Sequence, residues 1–167
     1  RIKGKYMHED RILIHKLKNF ENINSNFLTI ILMLFGSILL AISAKVQVPF
    51  WPVPMTMQTF VIFLIGMTYS IRLSFATVAL YLFEGVLGLP VFATGGGIAY
   101  LVGPTAGYLY GMLFASIVIS YFANLGFSKT YFKTTLSLLI GSAVIFSSGI
   151  IYLGYIIGFE KAVAAGL

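Results

Sequence analysis

The chain has 167 residues, of which 59% are hydrophobic and only 10% are charged, and its formal net charge is +6. Soluble domains carry about 25% charged residues, so this composition excludes an ordinary soluble protein and predicts an integral membrane protein. Cysteine is absent, which excludes disulfides, thiolate metal sites and a cysteine nucleophile. We attribute the positive charge to cytoplasmic segments beside anionic lipid and expect no nucleic-acid partner.

Residues 1–26 differ in character from the rest of the chain, because they hold six of the eleven basic residues. Leu13, Leu17 and Phe20 recur at helical spacing between charged residues. This pattern predicts a cytoplasmic basic tail with a short amphipathic helix on the membrane surface. Residues 27–167 form the second predicted unit, a transmembrane bundle.

Five apolar segments follow the tail. Because about 20 residues of helix cross the hydrocarbon core of about 30 Å, we predict an all-α polytopic transmembrane helix bundle with five spans. The predicted spans are residues 27–44, 57–70, 73–89, 105–125 and 134–157. The second is short for a bilayer, and we expect it to continue into the loop that precedes it.

The first span carries a face of small residues. Ser37 and Ala41 are four apart, and Ala44 lies three residues further along. Small side chains allow two membrane helices to approach closely. We therefore predict that another helix packs on this face.

Residues 46–58, VQVPFWPVPMTMQ, separate the first two spans and contain three prolines. Proline fixes φ and removes a backbone donor, so this segment cannot be one continuous helix and is predicted to be a stiff extended loop. The loop also carries Trp51 and the polar pair Thr56 and Gln58. Such a composition is typical of a lid over a small-molecule site. An equally open interpretation is that its aromatic residues only anchor the loop at the membrane interface.

Glu84 lies inside the third predicted span. A carboxylate at the bilayer centre costs about 2.5 to 3.5 kcal/mol on insertion scales, which favours a functional residue that faces the bundle interior or water. The alternative is a position near the helix end with access to water, because two glycines and a proline follow within six residues.

A second unusual loop, residues 89–108, contains three consecutive glycines at 95–97. Glycine adopts φ > 0 readily, so the loop can either turn backbone N–H groups towards a ligand or form only a tight turn. Its spacing fails the nucleotide-binding pattern G-x-G-x-x-G, and G-x-x-x-x-G-K-[ST] occurs nowhere in the chain. Gly103, Gly107 and Gly111 recur every four residues, which favours helix packing over ligand contact.

The basic residues fall mainly on one side of the predicted spans. Nine lie in the tail or in the loops that carry Arg72, Lys129 and Lys133, whereas only Lys45 and Lys161 lie on the other side. Lys and Arg in short loops stay cytoplasmic, so we predict a multi-pass protein of the cell (inner) membrane with a cytoplasmic N-terminus. Both unusual loops then emerge on the outer face, where they can form one binding site.

The membrane part lacks the residues that enzyme chemistry needs. Both histidines, His8 and His15, lie in the tail, whereas a serine hydrolase needs a histidine base and a metal site needs His, Cys or paired carboxylates. We therefore predict no enzyme, no metal and no cofactor. Because no ATP-binding loop is present, uphill transport would need energy from another protein.

Two segments carry a resemblance to a known family: VPFWPVPMTMQTF, residues 48–60, and YLFEGVLGLPVFATGGGIAYLVGPTAGYLYG, residues 81–111. Both resemble the BioY family, the biotin-capture component of energy-coupling-factor (ECF) transporters. The resemblance implies a six-helix bundle that binds biotin at its outer face and delivers it inward. The implied partners are a transmembrane coupling subunit, which docks on the small-residue face of the first helix, and ATPase subunits. The family's sixth helix follows a Pro-Gly-Asp stretch, and this sequence ends at Leu167, before that stretch.

The resemblance also suggests which residues contact biotin. Aromatic rings would cover its bicyclic body, hydroxyl, amide and carboxylate groups would bind the ureido group, and backbone N–H groups or a tyrosine hydroxyl would bind its carboxylate. Ordinary packing stays open for Tyr100 and Tyr108, and a helix-capping or helix-bridging role stays open for Gln58. The predicted substrate-binding residues are Trp51, Thr56, Gln58, Glu84, Phe92, Gly96, Gly97, Tyr100 and Tyr108.

The prediction from sequence is therefore biotin uptake, energised by a separate coupling subunit and ATPases. One alternative is a capture component of the same architecture for another small vitamin. A second alternative is a structural membrane subunit with no small-molecule ligand.

Overall fold

The computed structural model describes residues 25–49 and 51–166, which form six α-helices and one short β-hairpin. The amphipathic helix predicted in the N-terminal tail lies outside the described residues. The all-α class predicted from the sequence is confirmed. The helices are α1 (Ser25–Lys45), α2 (Gln58–Thr68), α3 (Ile71–Val86), α4 (Ala106–Asn124), α5 (Tyr131–Ile157) and α6 (Phe159–Gly166). The hairpin strands are β1 (Gln47–Val48) and β2 (Met55–Thr56), and single 3-10 turns occur at Ile98–Leu101 and Phe127–Lys129.

Three of the helices, α1, α4 and α5, are long and apolar enough to cross a membrane, with mean hydropathies of 2.5, 1.5 and 2.0 in their most apolar windows. Helix α2 is apolar but has only 11 residues, which corresponds to about 16 Å at about 1.5 Å per residue. Helix α3 has 16 residues. The second and third predicted spans are therefore shorter helices within the bundle.

The outward faces of the long helices carry large apolar side chains. Phe35, Ile38, Phe114 and Leu139 are all more than half exposed. Large apolar patches are rare on the surface of soluble monomers, but lipid tails solvate side chains of this kind. Together with the length of α1, α4 and α5, this surface identifies a membrane protein.

The proline-rich segment forms the hairpin between α1 and α2. Its strands pair antiparallel, with Gln47 opposite Thr56 and Val48 opposite Met55. The loop between the strands carries all three prolines, which cannot donate to a strand ladder, so pairing is limited to two residues on each side. The peptide bond between Trp51 and Pro52 is cis. As the sequence predicted, this segment is not helical.

The most extensive helix contact among the described residues joins α4 and α5. A Cβ atom at Gly107 would overlap the Tyr152 side chain, and one at Gly111 would overlap the Ser148 hydroxyl. The two glycines therefore let the backbones of α4 and α5 approach closely. Helix packing is the role that the four-residue spacing of these glycines favoured in the sequence.

Helix α3 covers the small-residue face of α1. Ser37 and Ala44 are fully buried, and Ala41 is half-buried. A Cβ atom at neighbouring Gly36 would overlap the Thr77 side chain of α3. The helix that approaches this face is therefore part of the same chain. Ser37 and Ala44 are packed inside the bundle and are not open to a coupling subunit.

The hairpin, the segment 87–105 and helix α6 gather at one end of the bundle, which we call the hairpin end. The hairpin and this segment are joined by a hydrogen bond from Lys45 Nζ to the Phe92 carbonyl (2.7 Å) and one from Gln47 Nε2 to the Ala93 carbonyl (3.1 Å). At the opposite end, Tyr69 and Ser70 connect α2 to α3. The fold thus brings both unusual loops of the sequence into contact.

Candidate ligand-binding site

A cavity of about 500 Å³ lies at the hairpin end, between the hairpin, residues 92–93, α4 and α5. Small-molecule sites have volumes of about 300 to 1,000 Å³, so its size is suitable for such a ligand. Six of the nine predicted residues line it: Trp51, Thr56, Gln58, Phe92, Tyr100 and Tyr108. Glu84, Gly96 and Gly97 do not line it.

Gln58 is the central polar residue of the cavity wall. It begins α2 and is only 4% exposed. Its Oε1 accepts a hydrogen bond from the Thr56 hydroxyl (3.1 Å), and its Nε2 donates to the Tyr81 hydroxyl (2.7 Å). Tyr81 in turn donates to the Val91 carbonyl (3.1 Å). The amide is therefore held in one orientation, and its second N–H is the donor that this arrangement offers to a ligand.

Phe92 provides a rigid aromatic wall and is only 1% exposed. Its ring lies edge-on to Tyr81, with centroids 5.5 Å apart, and tilted against Tyr100, with centroids 5.0 Å apart. Gly85 makes room for it, because a Cβ atom there would overlap the Phe92 ring. Packed aromatic rings of this kind suit the apolar body of a ligand.

Tyr100 lines this cavity and also a second cavity of about 460 Å³. Trp51 and Thr105 line both cavities as well. The Tyr100 hydroxyl accepts a hydrogen bond from the Thr94 N–H (2.9 Å) and contacts the Thr94 hydroxyl. Trp51 is 89% exposed, so its indole stands at the mouth. The two cavities therefore share part of their walls.

Helices α4 and α5 supply the wall opposite the hairpin. Tyr108 is buried and lies edge-on to Phe146, with ring centroids 6.4 Å apart. Met112 and Ile145 complete this wall. Sequence analysis identified Tyr108 but missed the other three. Apolar residues of a membrane helix give no local signal that separates a cavity wall from a packed core.

The glycine-rich loop folds onto its own backbone. Gly97 has φ of 102°, and its N–H donates to the Gly85 carbonyl (2.7 Å). A Cβ atom at Gly96 would overlap the Leu89 carbonyl oxygen. The loop thus forms the tight turn that was one of the two interpretations of the sequence. The Gly97 N–H is not available to a ligand carboxylate.

Glu84 faces α1 rather than the cavity. It is half-buried, and its carboxylate accepts a hydrogen bond from the Ser37 hydroxyl. Since Ser37 is fully buried, this contact satisfies a hydroxyl that water cannot reach. In this structure Glu84 links α1 to α3.

The described cavity lining has no charged side chain, and the described residues hold no group of three His, Cys, Asp or Glu that could bind a metal. Lys45 is a charged residue that contacts the cavity wall from behind the lining. Its Nζ donates a hydrogen bond to the backbone carbonyl of Phe92. Sequence analysis missed Lys45 and Gln47, because nothing local to them indicates which backbone carbonyls they reach.

The BioY family model matches residues 16–167. A relative named "Probable biotin transporter BioY" from Rickettsia prowazekii (strain Madrid E) is 33% identical over 156 residues, which cover 93% of this chain and 80% of the relative. The "Biotin transporter BioY" of Thermotoga maritima is 35% identical over 130 residues, which cover 77% of this chain and 76% of the relative.

A solved structure shares the fold. It is the "Crystal structure at 2.1 A of the S-component for biotin from an ECF-type ABC transporter", with a TM-score of 0.72 and 22% identity, and the match covers 84% of this chain and 82% of that one. The match of the family model over most of the chain, together with these relatives, shows that the chain belongs to the BioY family.

Proposed function

We propose that this chain binds biotin and takes part in biotin uptake across the cell membrane. The observation that carries the proposal is the cavity of about 500 Å³ that both segments resembling the BioY family line, together with α5. The names of the relatives support biotin as the ligand. The proposed role is transport and not catalysis.

Biotin combines an apolar bicyclic body with a ureido group and a carboxylate tail. Its body would lie against Phe92 and Tyr100, and its ureido group would bind the Gln58 amide and the Thr56 hydroxyl. A site built to hydrogen-bond its ligand rejects analogues that leave its polar groups unpaired. In this proposal Gln58 therefore contributes specificity, while the aromatic rings contribute apolar contact.

The hairpin end faces the exterior in this proposal, and the N-terminus is cytoplasmic, in the cell (inner) membrane. The alternation of the helices puts Arg72, Lys129 and Lys133 at the opposite end of the bundle. Basic residues in short loops stay cytoplasmic, which supports this orientation. In this proposal biotin would then enter from outside, past the second cavity.

We also propose that a separate transmembrane coupling subunit and ATPase subunits energise delivery. The solved structure with the same fold is named as a component of an ECF-type ABC transporter, and this sequence has no nucleotide-binding loop of the G-x-x-x-x-G-K-[ST] type. Cells that make this chain with and without such subunits would test it. Accumulation of biotin only with the subunits supports the proposal, and equal accumulation contradicts it.

Equilibrium binding of labelled biotin to the purified protein tests the ligand. Saturable retention that unlabelled biotin displaces, and that other vitamins do not, supports the proposal. Tighter retention of another small vitamin favours a capture component for that vitamin. Retention of no tested vitamin favours a structural subunit.

A further inference from the structure

The connection between α4 and α5, at the end of the bundle opposite the hairpin, carries aromatic and basic side chains close together in the chain. We call it the basic aromatic turn and define it by Phe127, Lys129, Tyr131, Phe132 and Lys133. Both lysines are exposed, and the rings of Tyr131 and Phe132 are 94% and 77% exposed. These residues line neither of the two cavities described above, so the proposed ligand site does not use them.

Contacts with both neighbouring helices hold the basic aromatic turn in a defined conformation. The Phe127 ring lies tilted against Phe122 of α4, with centroids 5.1 Å apart, and the Phe127 carbonyl accepts a hydrogen bond from the Thr134 hydroxyl of α5 (3.0 Å). Gly126 has φ of 86°, the left-handed conformation that commonly ends a helix. Lys133 Nζ lies 5.7 Å from the centroid of the Phe127 ring, within the range of a cation–π interaction. One ammonium group is therefore held against an anchored ring.

The lengths of α4 and α5 place the basic aromatic turn at the depth of the lipid headgroups. Helix α4 has 19 residues and α5 has 27, which correspond to about 28 Å and about 40 Å at about 1.5 Å per residue. The hydrocarbon core is about 30 Å thick. The end of α4 at Asn124 and the start of α5 at Tyr131 therefore reach the headgroup region. Exposed rings such as that of Tyr131 are typical of this region, because one edge of the ring is apolar and the hydroxyl is polar.

The charge at this end of the bundle is complementary to an anion. Among the described residues, its charged side chains are the basic Arg72, Lys129 and Lys133. The described acids lie elsewhere, with Glu84 against α1 and Glu160 on α6 at the hairpin end. Basic residues next to a membrane span attract anionic lipid. Because the turn lies at headgroup depth, an anionic phospholipid is the partner that its charge and its aromatic rings both fit.

We propose that the basic aromatic turn binds an anionic phospholipid, whose phosphate contacts the ammonium groups of Lys129 and Lys133. The acyl chains lie along α5, where Phe132, Leu136 and Leu139 share one exposed apolar face. Net charge alone would attract lipid to any basic surface, whereas this proposal assigns one site. The contact with Phe127 restricts Lys133 before the lipid arrives, which lowers the entropic cost of binding. The inference is independent of the proposed biotin function.

Native mass spectrometry of the purified full chain in detergent tests the site, because it resolves single bound lipids. The chain is titrated with phosphatidylglycerol, which has a net negative charge, and with phosphatidylcholine of the same acyl chains, which has none. We expect tighter binding of phosphatidylglycerol. Lys129→Met and Lys133→Met should each weaken it about fivefold, and the combined variant about tenfold or more. Binding of phosphatidylcholine should change by less than about twofold in all three variants.

Three further variants separate a site from a general effect of charge. Arg72→Met removes one positive charge from another helix at the same end, and Lys161→Met removes one at the hairpin end. Both should leave the affinity for phosphatidylglycerol within about twofold. Lys133→Arg should retain most of the affinity, because it keeps the charge and can still lie over the Phe127 ring.

Equal affinities of the unsubstituted chain for the two lipids would overturn the inference, and this result needs no variant to fold. A loss in Arg72→Met as large as that in Lys133→Met would also overturn it, because any charge at this end would then suffice. Displacement of the bound lipid by soluble glycerol phosphate at a similar concentration would show a phosphate site and not a lipid site. Failure of the unsubstituted chain to retain biotin would contradict the proposed function and leave this inference standing.

Discussion

The Nε2 atom of Gln58 donates a hydrogen bond of 2.7 Å to the Tyr81 hydroxyl at the wall of the cavity. This bond joins the first residue of α2 to the middle of α3, and Tyr81 passes the connection on to the Val91 carbonyl beside Phe92. Hydrogen bonds thus connect the Gln58 amide to the segment that carries the aromatic wall residue Phe92. A change at Gln58 should therefore affect both the ligand and the fold.

Gln58→Ala should weaken biotin binding about tenfold or more, because it removes the amide at the wall. It also leaves the buried Tyr81 hydroxyl without its donor, at a cost of about 1 to 3 kcal/mol in the free energy of unfolding. Equilibrium binding and denaturation in detergent measure the two effects. Thr68→Ala is a suitable control, because the Thr68 hydroxyl bonds only within α2 at an exposed position. An unchanged biotin affinity in Gln58→Ala would remove this residue from the site.

Tyr100→Phe should accelerate biotin dissociation several-fold. The substitution keeps the ring contact with Phe92 but removes the hydroxyl that binds Thr94. Tyr100 lines both cavities. We expect association to accelerate as well, so that the affinity changes less than either rate. Stopped-flow or surface-based kinetics measure both rates. Tyr110→Phe, whose hydroxyl binds the Leu101 carbonyl outside the cavity lining, should leave them unchanged. A lower affinity at an unaltered dissociation rate would contradict this role.

Gly85→Ala should distort the aromatic wall. The added Cβ atom would overlap the Phe92 ring, and overpacking of a well-packed core costs about 1 to 3 kcal/mol. We expect a lower melting temperature together with weaker biotin binding, because Phe92 must move into the cavity. Thermal unfolding and binding of the same preparation test this. An unchanged melting temperature and an unchanged biotin affinity would show that Phe92 can shift to accept the added methyl group at no cost in free energy.

Glu84→Ala should lower stability while leaving the biotin affinity within about twofold. The carboxylate accepts from the buried Ser37 hydroxyl and does not line the cavity. Because the two residues are partners, the combined variant with Ser37→Ala should lose less stability than the sum of the single variants. Denaturation of the four proteins of this double-mutant cycle provides the measurement. A tenfold loss of biotin affinity would instead return Glu84 to the site, as the sequence alone suggested.

The absence of cysteine makes the proposed orientation testable by single introduced thiols. Thr94→Cys, at the hairpin end, should react with a membrane-impermeant maleimide in intact cells. Lys129→Cys, at the opposite end, should react only after the cells are opened. Labelling of both residues from outside, or the reverse pattern, would contradict the proposed orientation.

The features that the sequence predicted well are those with local causes. Long apolar segments predict helices in a membrane because every backbone polar group must be satisfied within the helix. The prolines of residues 46–58 exclude a helix whatever surrounds them. The spacing of Gly107 and Gly111 places them on one face, where α5 approaches. The two motifs were sufficient to indicate the family.

The tertiary structure decided which polar groups meet. Glu84 could face the cavity or a neighbouring helix, and only the packing of α1 on α3 pairs it with Ser37. From the sequence alone, the Gly97 N–H could bind a ligand, but in the structure it donates to the Gly85 carbonyl. Lys45 reaches the carbonyl of a residue 47 positions away. Helix propensity and turn chemistry act over a few neighbouring residues, whereas the partner of a side chain depends on which distant segments the fold brings together.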